Sequence, residues 1–599
     1  MARLANSPVL LRVVPPCYAL ALTLAITGPL REPGYLLLRD AVSTPRSYLS
    51  DAALGLTESA PRSLPQDVAV ALVSQVVDGG VLVKALLVAG LWLAGWGAAR
   101  LAELVLPDTC LAGQLVAATI AIWNPYVAER LLQGHWSLLV GYGCLPWVAA
   151  AMLRLRTDPT ARWWALAFWM ALAGLTSTGL MMAATVALVC AIVPGRGKTR
   201  RLCAAGSLGL AVVVALPWLA ASTLGGSLPA PQTGVAAFAA RAEPGLGTIG
   251  SLAALGGIWN GDAVPPSRTT MFAIAGAAVL LVIVVLGLPA MKWRPGAVYL
   301  LVLSVIAVVM PALMATGPGI AVVDAVVRAV PGLGVVRDGQ KWVGLAMPGY
   351  ALAGAAAVLT LRRFVPPLAA AVVFCVALIA VLHDLAWGVG QRVHSVQYPP
   401  GWSAVAEAVN ADQRPVAVLP AGIMRRFAWS GPAPVLDPLP RWILPDVLST
   451  GDLTISGQTL RGEGHRAQAV QQMLLDGAKP ADLKRAGVGW VVVEHGSDGE
   501  MGASAATLAG LEVAYDDPDL TLYRVGGDAA GASAERRNAM LGTHVVWLLV
   551  LLAGAIGAAI TALRRGLRRP ASAEPEPLDP RFDDWYFSDA ELDGVTPDR

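Results

Sequence analysis

The chain has 599 residues, of which 56% are hydrophobic and only 14% are charged. Soluble proteins contain about 45–50% apolar and about 25% charged residues, so a purely water-soluble fold is excluded and most of this chain must lie in a bilayer. The net charge of +3 gives no electrostatic basis for binding nucleic acid.

The first apolar segment, at 13–30, follows two arginines, Arg3 and Arg12. A charged start before an apolar run is typical of a signal peptide. No small-residue cleavage site follows, because the run ends in Gly28-Pro-Leu-Arg31. We therefore predict an uncleaved first membrane helix.

Further apolar runs are long enough to cross the hydrocarbon core, which takes about 20 residues as a helix. They lie at 80–99, 109–124, 136–153, 203–221, 270–290, 297–316, 342–361, 365–386 and 541–563. The segment 164–193 is ambiguous, since it is interrupted at 174–179 by Gly-Leu-Thr-Ser-Thr-Gly. It could form one long tilted helix or a hairpin of two short ones.

Basic residues in the loops favour the hairpin. Cytoplasmic loops are enriched in Lys and Arg, and all the basic loops fall on one side only if 164–193 crosses twice. This predicts about twelve spans in the plasma membrane, with both termini in the cytoplasm. The loops concerned carry Arg3, Arg12, Arg100, Arg154, Arg156, Arg162, Arg196, Lys198, Arg200, Arg201, Lys292, Arg294, Arg362, Arg363, Arg564, Arg565, Arg568 and Arg569.

The longest polar segment, 388–540, is expected to lie outside the membrane as a small α/β domain. Strand-like runs at 415–419 and 489–493 alternate with helical patterns, and the pattern at 511–525 predicts a hairpin around Asp516-Asp-Pro-Asp519. The predicted organisation is a membrane module at 1–387, the domain at 388–540, a last membrane helix at 541–563 and a disordered cytoplasmic tail at 564–599.

Disulfides and metal sites are not predicted. The six cysteines all lie in or beside apolar runs, and the six histidines are scattered without ligand spacing. Gly195-Arg-Gly-Lys-Thr199 lacks the first glycine of a phosphate loop, and Asp517-Pro-Asp519 is more typical of a turn than of a metal site. No cofactor is assigned.

Functional groups gather at the outer edge of the membrane rather than inside it. The predicted spans contain almost no acidic residues, whereas ion-coupled transporters usually carry them at mid-membrane depth. Polar and aromatic residues are instead found in three outer loops, at 31–51, 123–136 and 331–342. Carboxylates there can deprotonate a hydroxyl, and cations can neutralise a departing phosphate. The alternative is simple interfacial anchoring by Trp and Arg.

These loops resemble those of the GT-C superfamily of membrane glycosyltransferases, in particular its actinobacterial arabinofuranosyl- and mannosyltransferases. The resemblance is carried by an early Asp after the first helix, by Asn124-Pro-Tyr with Gly134-His-Trp136, and by Arg337-Asp-Gly-Gln-Lys-Trp342. It implies a decaprenyl-phosphate-linked sugar as donor, an envelope glycan as acceptor and a catalytic base in the first loop. Many relatives carry paired acids there, and β-sandwich rather than α/β outer domains.

The position that matches the base of the family is Asp40, which we expect the adjacent Arg39 to keep ionised. Asp51 is expected to matter little, because no cation closer than Arg46 is near it in the sequence, and Glu129 is the alternative base. The residues expected around the donor phosphate and sugar are Arg39, Glu129, Arg130, His135, Trp136, Arg337 and Lys341.

Two other functions fit the sequence. A transporter or flippase of lipid-linked glycans would need a polar path through the helices. A non-catalytic partner in envelope assembly would agree with the unpaired acid at Asp40 and with the acidic tail.

Overall fold

The computed structural model describes residues 8–58, 63–225, 233–330, 332–455 and 458–567. Long apolar helices dominate the chain up to residue 380, and the strands lie within 35–42 and 395–524. The predicted disordered tail lies outside the described residues from position 568 onward.

The first nine helices precede the long loop between Leu224 and Gly247. They are α1 (Pro8–Ile26), α2 (Gln66–Val73), α3 (Gly79–Val105), α4 (Leu111–Ile122), α5 (Pro125–Leu132), α6 (Trp136–Thr157), α7 (Trp164–Ala173), α8 (Ser177–Ala191) and α9 (Arg200–Leu224).

The remaining helices of the membrane module follow that loop, and a 3₁₀-helix at Gly339–Ala346 runs directly into one of them. They are α10 (Gly247–Ala253), α11 (Phe272–Met291), α12 (Pro295–Met314), α13 (Gly317–Ala329), α14 (Met347–Leu361) and α15 (Pro367–Ala380). A short turn at Ala386–Gln391 then leads outward; its residues Trp387 to Gly390 have left-handed φ angles of 51° to 70°.

Eight helices in the described residues are long and apolar enough to cross a membrane. A ninth span is counted if the bent pair Pro367–Ala380 and His383–Gln391 forms one. Their outer faces expose aliphatic side chains such as Val285 and Ile556, at 59% and 60%. Soluble proteins rarely expose large contiguous apolar patches, so these faces require lipid. The chain is a multi-pass membrane protein.

The ambiguous segment 164–193 forms two helices, as the hairpin interpretation requires. Helix α7 ends at Ala173 and α8 begins at Ser177, with Thr176 accepting a hydrogen bond from the Gly179 amide as N-cap. Both helices, like α1, are shorter than the eight spanning helices. Counting these three and the bent pair as spans, together with the eight, would give the predicted total of about twelve, which stays a prediction.

The outer segment contains a mixed four-stranded sheet in the order β10–β11–β9–β4. Strands β4 and β9 are parallel, β9 and β11 antiparallel, and β10 and β11 form the expected hairpin. The strands of the chain are β1 (Tyr35–Leu38), β2 (Ala41–Val42), β3 (Ser395–Val396), β4 (Val416–Leu419), β5 (Met424–Arg425), β6 (Val435–Leu436), β7 (Leu453–Ile455), β8 (Gln458–Leu460), β9 (Trp490–Glu494), β10 (Glu512–Asp516) and β11 (Leu520–Arg524).

Helices cover both faces of this sheet, because its strands are apolar on both sides. Trp402 and Val405 pack on one face with Val492, and Val470 and Leu474 pack on the other. The helices of the segment are α16 (Pro400–Ala411), α17 (Leu439–Trp442), α18 (His465–Leu475), α19 (Pro480–Arg485) and α20 (Ser504–Leu508), followed by the long helix α21 (Ala534–Leu567). The limits of 388–540 as a domain stay a prediction.

The first outer loop is part of the same outer structure. Strand β1 pairs with β3, so the chain directly after α1 is joined to the chain after α15. Leu37 and Val42 are buried in one apolar cluster with Val396 and Trp402. The loop therefore has a fixed position above the helices, and its polar residues do too.

Orientation is the first testable prediction. A reporter active only outside the cytoplasm, fused after Val525, should be active, because the basic loops predict that 388–540 lies outside. A fusion after Lys198 should be inactive. The reverse pattern would invert the predicted topology.

Candidate active site at the outer edge of the helices

A two-residue hairpin turn carries Asp40. Strands β1 and β2 pair Leu38 with Ala41, which leaves Arg39 and Asp40 as the turn. Arg39 has φ 47°, a left-handed conformation that two-residue hairpin turns require and that usually falls to glycine. The Arg39 amide donates to the Pro434 carbonyl, and its own carbonyl accepts from Leu436. The outer segment thus fixes the turn in place.

Helix α5 and the residues after it face this turn. Asn124 caps α5 by accepting from the Val127 amide, and Pro125 occupies the first helical position. The helix ends before Gly134, whose φ is 83° and where a Cβ atom would lie 2.3 Å from the Leu38 carbonyl oxygen. Only glycine allows the hairpin to approach so closely. This contact brings Gln133 and His135 to Asp40.

Asp40 accepts two hydrogen bonds, both at Oδ2. His135 Nε2 lies at 2.9 Å and Gln133 Nε2 at 3.1 Å. Among the described residues no donor contacts Oδ1, and 39% of the side chain is exposed. Asp40 therefore presents one oxygen without a hydrogen-bond partner on a carboxylate that is otherwise held firmly.

The tautomer of His135 follows from its neighbours. Arg130 Nη1 lies 3.1 Å from His135 Nδ1. A guanidinium only donates, so Nδ1 is the acceptor and the ring proton lies on Nε2, where it is donated to Asp40. Burial lowers the pKa of His135, in agreement with a neutral ring.

Arg130 connects this pair to the third outer loop. Its side chain is fully buried and makes two hydrogen bonds to Asp338, at 2.8 Å to Oδ2 and 3.2 Å to Oδ1. It also donates to the Gln340 side chain. Charge-assisted bidentate pairs of this type fix orientation as well as distance. The three outer loops therefore meet at one cluster, Asp40–His135–Arg130–Asp338.

Glu129 lies on the inner side of this cluster and is fully buried. It accepts from the backbone amides of Gly257 and Ile258, both at 3.1 Å, and from Gln340 Nε2 at 2.9 Å. A carboxylate engaged in this way cannot reach an acceptor hydroxyl. We therefore do not propose Glu129 as an alternative base.

Lys341 is the partly exposed cation of the cluster. Its Nζ lies 3.9 Å from Asp338 Oδ2, and 24% of the side chain is exposed. Its backbone carbonyl accepts from the Tyr126 hydroxyl at 2.9 Å, which joins the third loop to α5.

Three other predicted residues lie around the cluster rather than at Asp40. Trp136 begins α6 and is buried. The Arg337 guanidinium stacks over Phe238, with 4.2 Å from its carbon to the ring centroid. Arg39 donates to the carbonyls of Leu132 and Asp262, at 2.6 and 2.9 Å.

The ionised state of Asp40 has a different cause from the one expected. Burial raises its pKa, but hydrogen bonds from His135 and Gln133 and the charge of Lys341 lower it below its usual range. The prediction that Arg39 keeps it ionised misses these main causes: the charge of Arg39 interacts with that of Asp40, but its guanidinium donates to backbone carbonyls and not to the carboxylate. Asp338 has a pKa of about 2, since Arg130 and Lys341 outweigh its burial.

A second correction concerns Asp51. The expectation that no cation approaches it is wrong: Arg537, at the start of α21, donates to both carboxylate oxygens at 2.6 and 2.7 Å. Sequence distance could not reveal this partner, which lies 486 positions away. Asp51 thus ties the first outer loop to the last helix.

Gln133, Asp338 and Gln340 belong to the cluster but were not among the predicted site residues. Asp338 and Gln340 stand inside the motif at 337–342, and Gln133 directly precedes the motif Gly134-His-Trp136. Their position in or beside those motifs was the available signal.

We predict that Gly134→Ala lowers both thermal stability and any transfer activity. The added Cβ would displace the Leu38 carbonyl and the hairpin that carries Asp40, and the positive φ adds about 1–2 kcal/mol of strain. The matched control is Gly496→Ala, which has φ 67° but open space around the Cβ. Equal effects of the two substitutions on activity would contradict the role of the close contact.

Bundle and site together define a multi-pass membrane protein with a carboxylate exposed just after its first helix. The chain is similar in structure to the arabinofuranosyltransferase AftD from mycobacteria, with a TM-score of 0.57 and 18% identity, over 88% of this chain and 40% of that one. A mutant form of AftD matches with a TM-score of 0.55 and 17% identity, over 88% of this chain and 42% of that one. At the level of the fold, this confirms the likeness to an actinobacterial membrane glycosyltransferase that the sequence resemblance implied.

The chain spans about two fifths of the length of AftD, the solved structure it resembles. No family model and no curated protein matches the sequence. The likeness therefore concerns the fold.

Proposed function

We propose that the protein is a membrane glycosyltransferase of cell-envelope synthesis that takes its sugar from a polyprenyl-phosphate donor at the outer face of the plasma membrane. The observation that carries the proposal is the Asp40 carboxylate, which is ionised, partly exposed and oriented by His135 and Gln133 beside Lys341. The likeness to AftD in fold supports the same class of reaction.

Asp40 Oδ1 is the proposed general base. It takes the proton of an acceptor hydroxyl while the acceptor oxygen forms a bond to the anomeric carbon of the donor sugar. The bond from that carbon to the phosphate oxygen breaks, and the lipid phosphate leaves with the electron pair. Lys341 is the proposed partner of the negative charge that develops on the phosphate.

The remaining residues position these two groups. Arg130 fixes the tautomer of His135, and Asp338 and Gln340 fix Arg130. Buried hydrogen-bond networks of this kind limit movement and so preserve geometry. We assign Arg39 and Glu129 to the same supporting role and not to contact with the substrate, whereas Trp136 lies directly beside His135.

One free carboxylate favours a single displacement with inversion at the anomeric carbon. Retention by double displacement needs a second carboxylate as nucleophile. Asp338, the other acid of the cluster, is nearly buried and gives both oxygens to Arg130. The product of transfer should therefore have the anomeric configuration opposite to that of the donor.

The donor lipid needs a path from the bilayer to this cluster. The interrupted hairpin supplies a candidate wall, because α8 packs against the 3₁₀-helix that contains Lys341. A lipid lying in that groove would place its phosphate near the cation while its chain remains among the membrane helices.

The test is the envelope glycan of a deletion strain. Loss or shortening of a defined glycan should be restored by the wild-type chain and not by the Asp40→Asn variant produced at equal level. Full restoration by the variant would remove Asp40 from the reaction. An unchanged glycan in the deletion strain would contradict the proposed function.

A further inference from the structure

A cavity of about 220 Å³ lies between the first outer loop and the outer segment. Residues of 42–70 form one wall and residues of 417–474 the other. It is a different space from the cluster at Asp40, but the two share a boundary. Val42 follows Asp40 by two residues, Trp136 follows His135 directly, and both line the cavity.

The size suits one ring-shaped ligand. An engineered cavity of about 150 Å³ accepts a benzene molecule. Unlike that apolar cavity, this one has charged and hydroxyl groups on its walls, including Ser47, Ser63 and Thr450. A polar ring with several hydroxyl groups fits such walls better than an apolar one.

The charges on the walls exclude an anion. Both arginines that line the cavity are already paired: Arg425 with Glu494 and Asp437, and Arg441 with Asp67. The carboxyl group of Asp446 also lines the space and has no hydrogen bond or ion pair among the described residues. A phosphate or carboxylate ligand would thus find no unpaired arginine among the described lining residues and would lie beside the carboxyl group of Asp446.

A metal ion is not favoured either. Among the described residues no group of three or more His, Cys, Asp or Glu side chains has the arrangement to hold one. Neutral hydroxyl groups are the ligand groups that these walls favour. Carboxylates accept hydrogen bonds from hydroxyl groups, and the paired arginines still have N–H groups to donate to them.

We propose that this cavity binds one neutral sugar residue of the glycan acceptor. That the glycan is the acceptor rests on the proposed function; that the cavity takes a neutral sugar rests on its own walls. Asp446 is the main hydrogen-bond acceptor for the sugar hydroxyls. Burial raises the pKa of this carboxyl group to about 7, and the charge of Arg466 only partly offsets that effect.

Because the cavity and the cluster at Asp40 share a boundary, a sugar bound in the cavity would lie close to the proposed base. A glycan whose residue occupies the cavity has its neighbouring residue directed along Val42 and Trp136 toward Asp40. Binding there would raise the local concentration of the acceptor hydroxyl at the base, an effect of positioning rather than of chemistry.

The test is saturation-transfer NMR on the full-length protein in detergent. The probes are methyl α-D-arabinofuranoside and methyl α-D-mannopyranoside, with methyl glucuronide as the charged comparison. We expect saturation transfer to at least one neutral glycoside and none to the glucuronide. No transfer to either neutral glycoside, or equal transfer to the glucuronide, would overturn the proposal.

Variants assign the signal to the cavity. Asp446→Leu should weaken binding about tenfold, as expected for loss of a hydrogen bond to a carboxyl group that is only partly ionised near neutral pH. Asp446→Asn, which keeps the shape of the side chain, should weaken it less and serves if the leucine variant does not fold. The control is Asp498→Leu, on the exposed surface of the same segment. Unchanged binding in both Asp446 variants would refute the site.

The Asp40→Asn variant separates this inference from the proposed function. It should bind glycosides like wild type while transfer is lost. If transfer is lost but no variant or wild type binds a glycoside, the cavity proposal fails and the proposed function stands. If a glycoside binds but transfer survives Asp40→Asn, the role of Asp40 in the proposed function fails and the cavity proposal stands.

Discussion

Membranes containing the Asp40→Asn variant should transfer sugar at a rate reduced by about 10²- to 10⁴-fold, the usual contribution of a general base. The amide keeps the size of the side chain and can still accept from Gln133 and His135. It cannot take a proton from the acceptor at neutral pH. Expression and thermal stability in detergent should remain close to wild type, because 39% of the side chain is exposed.

The matched control is Asp51→Asn, the same substitution in the same loop. It removes a charge paired with Arg537, whose side chain is 47% exposed, whereas that of Asp51 is 14% exposed. Exposed ion pairs contribute about 0–1 kcal/mol, so a loss of stability at or somewhat above the upper end of that range, with unchanged transfer, is expected. If the two variants lost transfer equally, the effect would lie in the loop as a whole and not in the base.

The measurement is transfer from a synthetic polyprenyl-phosphate sugar to an oligosaccharide acceptor, with rates normalised to the amount of folded protein. A wild-type rate in the Asp40→Asn variant would rule out this carboxylate as the base. Because Glu129 is buried and fully hydrogen-bonded, it would not replace Asp40 in that case.

The sequence predicted the membrane class, the helices and the region of the site for direct physical reasons. Apolar runs of spanning length, interrupted at Gly174–Thr176, predict helices wherever they occur. The order of spans and basic loops then assigned three polar loops to one edge of the helices. In the structure these loops meet, through Asp40 with His135 and Arg130 with Asp338.

The roles of individual side chains could not be predicted in the same way. Glu129 and Arg130 stand in a polar-looking stretch, yet both are fully buried because α5 is enclosed by the neighbouring loops. The partner of Arg130 lies 208 positions away, and no local pattern indicates such a pair. Arg39 was adjacent to Asp40 in sequence, but the left-handed turn directs its side chain elsewhere.

Arg130→Met should be the most destabilising substitution in the cluster. It removes the guanidinium but keeps an unbranched side chain, and it leaves Asp338 buried with only Lys341, at 3.9 Å, as a charged neighbour. Breaking a buried ion pair by removal of one partner costs about 3–5 kcal/mol. Transfer should also be lost, since Nδ1 of His135 loses the donor that fixes its tautomer.

The double variant Arg130→Met with Asp338→Asn separates these two effects. It contains no unpaired buried charge, so its melting temperature should lie well above that of Arg130→Met alone. Transfer should remain low, because His135 still lacks its donor and can take either tautomer. Thermal melting of the purified proteins, followed by intrinsic tryptophan fluorescence, measures the first effect, and the membrane assay measures the second. If Arg130→Met alone were as stable as wild type, the Arg130–Asp338 pair would not organise the site. If the double variant recovered transfer together with stability, the charge pair would matter for folding alone, and the assigned link from Arg130 through His135 to Asp40 would be wrong.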